Sequence, residues 1–158
     1  MATSVGTAVT NFISIATAAI PATVSGGDTN VVFGDLAQYV APVTLQIIEV
    51  TGDAQVAELG QNFRREETFS IVCELVTWAG DQDYKQRFDD AVTVYDLVTI
   101  AVATNPWLSS TGSHDNTSAV RFAEIGDFSI IPKAGPEGES TCSFQFHVRC
   151  SARVDSLD

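Results

Sequence analysis

Cysteine and histidine are the residue types in this chain with the strongest potential for chemistry. The three cysteines, Cys73, Cys142 and Cys150, are an odd number and contain no CxxC pair. Cys142 and Cys150 belong to one predicted strand, where a rise of roughly 3.3 Å per residue would hold them about 27 Å apart, too far for a disulfide bond. We therefore expect buried, reduced thiols that fill the core, with a metal site or a reactive thiol as the alternative.

The two histidines do not form a site with one another. His114 and His147 are far apart in the sequence and belong to different kinds of predicted element. His147 lies on the polar side of the last predicted strand, between Gln145 and Arg149, and no cysteine or carboxylate stands at zinc-ligand spacing from it. We expect a surface or interface residue there, with a metal ligand or catalytic base as the alternative.

The clustered acids also lack a catalytic arrangement. Asp81 and Asp83 are not followed by the glycine and glutamate of a calcium loop, so either of them is predicted to cap a helix. Asp89 and Asp90 are adjacent and point about 100° apart on a helix, which favours a solvated face over a carboxylate dyad. No phosphate-binding glycine motif, GxSxG or HExxH occurs. We expect no enzymatic activity, no cofactor and no metal.

Charge and composition narrow the class of protein further. The chain has 158 residues, of which 45% are hydrophobic, and this composition is typical of one folded domain. The net charge of −12 disfavours a domain that grips nucleic acid. No lysine or arginine precedes Arg64, and the first apolar segment ends at Pro21, so neither a secretory signal nor a membrane-spanning helix is predicted. We expect synthesis in the cytoplasm and no membrane association.

Hydrophobic periodicity predicts the elements that would position these residues. One amphipathic helix is predicted from Val5 to Pro21, and a second one from the Asp81–Asp83 cap to a residue before Pro106. The second helix is predicted to bury Phe88, Ala91, Val92, Tyr95, Val98 and Val102. The strands are predicted at residues 43–50, 69–76, 119–132 and 142–154, with a short candidate at 31–33 after a turn in "SGGDTN".

This order of elements predicts the fold class. We expect one α+β domain over residues 1–158, with a mostly antiparallel four-stranded sheet, two main helices packed on one face, and the order α-β-β-α-β-β. The polar, glycine-containing segments 51–63 and 109–117 are predicted to be mobile loops, with a hairpin arm as the alternative for the first. The core is predicted to comprise Phe12, Phe69, Ile71, Leu75, Phe88, Val92, Tyr95, Phe144, Phe146 and Val148.

Two further patterns refine the sheet. Val72 and Val76 alternate with the apolar residues of their strand, which indicates that the second face of the sheet is partly covered. In the segment 119–132, Gly126 is expected to permit a bulge. The side chains expected on one side of that strand are Val120, Phe122, Phe128 and Ile130.

Three stretches within residues 64–154 resemble a known family. They are "RREETFSIVCELVTWAGD", "RFDDAVTVYDLVTIAVATNPWL" and "VRFAEIGDFSIIPKAGPEGESTCSFQFHVRCSARV". Their order is similar to tail terminator proteins of long-tailed bacteriophages, in which a strand F-x-I-x-C-x-L-x-x-W-x-G precedes a helix and a strand F-x-V-x-C-x-A closes the domain. The matching positions are Phe69, Ile71, Cys73, Leu75, Trp78 and Gly80, and then Phe146, Val148, Cys150 and Ala152.

The resemblance implies a function without catalysis. A terminator of this kind forms a homo-oligomeric ring, usually a hexamer, at the head-proximal end of the virion tail. The ring stops the tail tube protein from polymerising further and presents a surface to the neck or head-completion protein, while DNA passes through the lumen without specific binding. The alternatives are a neighbouring neck protein, a non-viral binding module for a small ligand or a protein, and a small enzyme.

Within such a ring, the first basic residues of the chain are the candidates for a subunit interface. Arg64 and Arg65 follow an acidic first part and precede Glu66 and Glu67. The adjacent acids, and the lack of interleaved aromatics here and around Arg149, favour ion pairing over nucleic-acid binding. We expect Arg64, Arg65, Glu66 and Glu67 to pair across subunits.

Overall fold

Two helices and six strands account for most of the chain in a computed structural model, which describes residues 4–34, 41–58, 64–134 and 138–155. The elements follow one another in an order that places four strands between the helices. They are α1 (Ser4–Ala19), β1 (Thr23–Val24), β2 (Gly27–Phe33), β3 (Val43–Glu58), β4 (Arg64–Ala79), α2 (Tyr84–Thr104), β5 (Phe122–Ala134) and β6 (Ser140–Asp155).

All the strands form a single mixed sheet. Its six strands have the order β1-β2-β3-β4-β6-β5. The β2–β3 pair is parallel, and the other neighbours are antiparallel. The predicted four-stranded, mostly antiparallel sheet with the order α-β-β-α-β-β is therefore wrong, because β1 and β2 add two strands at one side and one of these pairings is parallel.

The segment 51–58 was predicted as part of a mobile loop, and in the structure it continues β3 to Glu58. Gly52 and the polar residues around it suggested a loop. However, Gly52 lies in the strand opposite Phe69, where a Cβ atom at position 52 would come within 2.5 Å of the Phe69 Cβ. A glycine inside a strand often marks such a close approach of two backbones. Residues 59–63 of the predicted loop lie outside the described residues.

The stretch "SGGDTN" is also only partly a turn. Ser25 and Gly26 both have positive φ angles, of 49° and 80°, as tight hairpins of the primed type require. The strand β2 then begins at Gly27 and includes the polar residues Asp28 and Asn30. The preference of these residues for turns is overridden by the pairing of β2 with β1 and β3.

Both helices pack against one face of the sheet, and the main core lies between the helices and this face. Alternate residues of β4 and β6 point into this core, together with Phe12 of α1 and Val98 of α2. Seven of the ten predicted core residues are buried, and the three on α2 are partly buried against the same cluster. Val72 and Val76 are 5% and 2% exposed, so the second face of β4 is partly covered, as the pattern indicated.

The buried stripe of α2 is rotated from its predicted position. Val94 is fully buried, while Phe88, Val92 and Tyr95 are only partly so. The rotation brings a charged pair inward at the start of the helix, which apolar periodicity cannot reveal. This pair is Arg87 and Asp90, with exposures of 9% and 4%.

Asp90 therefore does not belong to a solvated face, and that prediction is wrong for this residue. Its carboxylate lies 3.3 Å from an Arg87 nitrogen and accepts hydrogen bonds from Ser25 Oγ at 2.6 Å and Gln86 Nε2 at 2.7 Å. Asp89 points outward and pairs with Lys85. A buried carboxylate is stable only when it is paired and hydrogen-bonded in this way.

A bulge in β5 changes which side chains face the core. The register with β6 shifts between Gly126 and Phe128, and Asp127 between them has a φ of 46°. Phe122 therefore lies on the helix-free face opposite Ser151, whereas Phe128 lies on the helix face opposite Phe146. The bulge was predicted, but the shared side for Phe122 and Phe128 was not correct, because the extra residue reverses the alternation.

The packing of β6 predicts the cost of removing its central side chain. Phe146 is 0% exposed and packs edge-on against Tyr95, with ring centroids 5.4 Å apart. Replacing Phe146 with alanine should lower the free energy of unfolding by about 3–5 kcal/mol, since a large cavity would remain. Denaturant unfolding measures this, with Ile100→Ala on the exposed side of α2 as the control, for which a change within about 0.5 kcal/mol is expected. Equal costs for the two variants would contradict the burial of Phe146.

Candidate functional site

The surroundings of the three thiols indicate a structural role. Cys73, Cys142 and Cys150 are free and buried. Burial raises the pKa of Cys73 well above the ordinary value and the pKa of Cys150 to about 12, and it also raises the pKa of Cys142. A nucleophilic or metal-binding cysteine needs the opposite shift, because the thiolate is the reactive form.

The histidines and the acids near the helix start are also apart from one another. His147 lies on the helix-free face, opposite Val72 and Gly126, and His114 packs beside Trp107 with ring centroids 5.5 Å apart. Asp83 is the residue that caps α2, since its side chain accepts a hydrogen bond from Gln86 N. In the part of the chain that the structure describes, no group of three His, Cys, Asp or Glu residues could hold a metal ion.

The predicted interface residues lie at the start of β4, on alternating faces. Arg65 and Glu67 point to the helix face and pair with each other, with nitrogen and oxygen 2.5 Å apart. Glu66 points to the other face, where its carboxylate lies 3.8 Å from a nitrogen of Arg153. Arg64 pairs through its backbone with Asp155, and its side chain lies outside the described residues. The role of these residues between subunits stays a prediction.

Glu67 attaches the first helix to the sheet. Its Oε2 atom accepts hydrogen bonds from the backbone N of Ser4 at 3.2 Å and from Ser4 Oγ at 2.6 Å. The carboxylate thus sits at the positive end of the α1 dipole and satisfies one of its free N–H groups. Burial raises the pKa of Glu67, but the hydrogen bonds from Ser4 and the charge of Arg65 outweigh it, so the pKa is lowered overall.

The segment 109–117 has neither helix nor strand, yet local hydrogen bonds hold it. Asp115 accepts hydrogen bonds from the backbone N of Thr117 at 2.8 Å and from its Oγ1 at 2.6 Å. The side chain of Asn105 bonds to the backbone of Ser109, and Asn11 of α1 donates to the carbonyl of Leu108 at 2.7 Å. The predicted mobility of this loop stays a prediction.

A long open edge of the sheet is the feature that sequence reasoning missed. β5 is a 13-residue strand at the end of the strand order, with β6 on one side and no strand among the described residues on the other. Three large apolar side chains of this strand are solvent-exposed, namely Phe122 at 50%, Phe128 at 63% and Ile131 at 49%. A long edge strand with exposed apolar side chains is a template for pairing with another chain.

A groove on the helix-free face extends across the sheet from β3 to this edge strand. It has a volume of about 510 Å³ and is lined among others by Phe122, Glu124 and Arg149. Arg149 pairs with Asp127 of β5 across the bulge. The groove is open and shallow, which fits a protein surface better than the concave pocket that a small ligand needs.

No protein-family model matches the chain, and no curated protein matches it either. Neither described helix is long and apolar enough to cross a membrane.

The burial of the thiols predicts their reactivity. A water-soluble disulfide reagent such as Ellman's reagent should label none of the three cysteines in the native protein and all three after unfolding, since the folded environment disfavours the thiolate. The variant Ile100→Cys, at an exposed position of α2, should add one thiol that reacts at once in the native state. Fast labelling of a native cysteine would show that one of the core positions is accessible.

The Glu67 contacts predict a pH-dependent stability. Because the pKa of Glu67 is lowered by folding, the ionised group stabilises the protein above the ordinary glutamate value of about 4.3, and this contribution is lost as the pH falls through the folded value. Glu67→Gln should cost about 1.5–3 kcal/mol of unfolding free energy near pH 7. The difference from the unmodified protein should shrink below about pH 4.

Glu66→Gln serves as the matched control. The Glu66 side chain is 52% exposed and its partner is 3.8 Å away, so a loss of at most about 1 kcal/mol is expected. Urea unfolding at several pH values compares the two variants. A Glu67→Gln variant no less stable than Glu66→Gln would refute the role of Glu67 as the anchor of α1.

Proposed function

We propose that the protein is a structural virion subunit that forms a ring at the head-proximal end of a phage tail. In this role it ends the growth of the tail tube and provides the surface that joins the tail to the head. The observation that carries the proposal is the open edge of β5 with its exposed apolar side chains, a surface suited to another protein chain. The function needs surfaces for partners and a rigid body, and it needs no catalytic residue.

The sheet supports the need for a rigid body. The two motif strands behind the resemblance, which contain Phe69–Leu75 and Phe146–Ala152, are neighbours inside the sheet, between β3 and β5. Eight of the motif side chains point into the core and are at most 5% exposed, namely Phe69, Ile71, Cys73, Leu75, Phe146, Val148, Cys150 and Ala152. Trp78 lies on the other face of β4 and is only partly buried. The motif therefore describes a framework on which an edge strand and the two ends of the sheet are held in fixed positions. The assignment to a tail terminator depends on the resemblance together with this framework.

The net negative charge of the subunit supports the proposal that DNA passes through the lumen of the ring. With a net charge of −12, the subunit repels phosphate, so a ring built from it would let DNA slide without adhesion. On the helix-free face, the acids Glu49, Glu74 and Glu124 outnumber the bases in the rows around Arg149. A DNA-gripping protein needs the opposite balance.

Disruption of the gene in its phage or prophage tests this function. We expect tails of uncontrolled length that carry no heads, because nothing stops the polymerisation of the tube, and negative-stain electron microscopy measures their lengths. The intact gene supplied from a plasmid is the control and should restore one length and joined heads. Tails of normal length without heads would point to a neck protein instead, and virions of normal appearance would refute both roles.

A further inference from the structure

The sheet has a second open edge, opposite β5. On the outer side of β2, the short strand β1 pairs only with Gly27 and Asp28. Thr29 still donates its backbone N–H to the carbonyl of Ala22 at 3.1 Å. Residues 30–33 have β3 on one side and no strand among the described residues on the other. Within the described residues, each copy of the chain therefore offers two edges, one at each side of the same sheet.

Among the described residues, the two most exposed aromatic side chains stand at these two edges in the same row. Phe33 of β2 is 67% exposed and Phe128 of β5 is 63% exposed. The strand register connects them directly across the sheet through Ile47, Cys73 and Phe146. These three residues are buried against the helices, so Phe33 and Phe128 lie on the helix face at equal height.

The strand directions allow these edges to meet. β2 is parallel to β3, and three antiparallel pairings lead from β3 through β4 and β6 to β5. β5 is therefore antiparallel to β2. A rotation about an axis along the strands keeps their directions, so it would place β5 of one copy beside β2 of the next as an antiparallel pair. It would also bring Phe128 of the first copy to Phe33 of the second.

We propose that copies of this chain associate head to tail, with the β5 edge of one copy against the β2 edge of the next and Phe128 covering Phe33. This inference rests on the proposed function, for which it supplies the contact that builds the ring. We infer that a second copy binds each edge, because the chain itself carries both edges. In a closed ring built from such head-to-tail contacts, every edge would be paired. A two-fold pairing of β5 with β5 would leave Phe33 in water.

Phe128 is held ready for such a contact. Its ring lies 5.8 Å from that of Tyr95 and 5.7 Å from that of Phe144, measured between centroids, while most of its surface stays in solvent. A side chain that is fixed before binding loses little conformational entropy on association. Aromatic pairs across an interface then add attraction beyond the area that they bury.

Cysteine cross-linking tests the pairing, since the native thiols are buried. Phe33→Cys and Phe128→Cys proteins, mixed and treated with a mild oxidant, should form a disulfide-linked dimer that contains one chain of each kind, whereas neither protein alone should cross-link. The double variant should form a ladder of linked oligomers that ends at the size of the ring. Ile100→Cys, which is 61% exposed on α2, is the control and should not cross-link. Cross-linking of Phe128→Cys alone would overturn the proposal in favour of a two-fold contact.

Sedimentation of serine variants provides the second measurement. Phe33→Ser and Phe128→Ser should each remain folded by circular dichroism and shift the protein from oligomer to monomer, whereas Ile100→Ser should sediment like the unmodified chain. An unmodified chain that stays monomeric at every concentration, or an oligomer unaffected by either serine variant, would overturn the head-to-tail contact. The tail-length phenotype decides the proposed function separately, because it does not depend on which residues meet between copies.

Discussion

The antiparallel pairing of β4 with β6 is the interaction on which the rest of the structure depends. It runs without a register shift over all 16 residues of β4, from Arg64 opposite Asp155 to Ala79 opposite Ser140. On one face of this pair, alternate apolar residues form the floor of the core, and both helices pack on that floor. The other strands attach outward from it, β3 to β4 and β5 to β6. Since the register of the central pair is fixed by the burial of every second side chain, a slip by one residue would expose the whole core row.

Polar contacts then fix the helices on this floor. Glu67 of β4 holds the start of α1 through Ser4, and Thr77 of the same strand donates a hydrogen bond to the carbonyl of Arg87 in α2 at 2.7 Å. The buried ion pair of Arg87 and Asp90 in turn holds the β1–β2 turn through Ser25. Each contact satisfies a buried polar group whose burial without a partner would destabilise the fold. Each contact also links an element to its neighbour at one defined position. These contacts hold each helix at one position along the sheet.

The sequence predicts the parts of this fold in which one pattern acts alone. The strict alternation in β6 and the apolar stripe of α1 allowed both elements and their buried residues to be predicted. Prediction failed where a long-range contact overrides a local preference. Gly52 looked like a loop residue because its closeness to Phe69 is invisible without β4. Asp90 looked solvated because α2 turns it toward the β1–β2 turn, where one of its partners is Ser25, 65 residues away. In β5, one extra residue at the bulge reversed the alternation, so Phe122 and Phe128 lie on opposite faces of the sheet. The candidate site could not be predicted for the same reason, since an open edge is defined only by the whole strand order.

The acidic charge opposes the association of copies, whereas the apolar edges favour it. The two effects together account for how a sheet with open edges would bind one partner specifically. An exposed apolar edge by itself invites any strand and leads to aggregation. A net charge of −12 works against random encounters between copies, because like-charged molecules repel at distances up to about a Debye length, roughly 8–10 Å in physiological salt. Only an arrangement that gains enough at short range overcomes this repulsion. In the proposed head-to-tail contact, the gain comes from backbone hydrogen bonds along two edges and from two aromatic side chains that meet in one row. A random pairing of edges would keep the full repulsion and bury neither Phe33 nor Phe128. Because acidic copies repel one another at long range, the proposed assembly requires the short-range contact between Phe33 and Phe128.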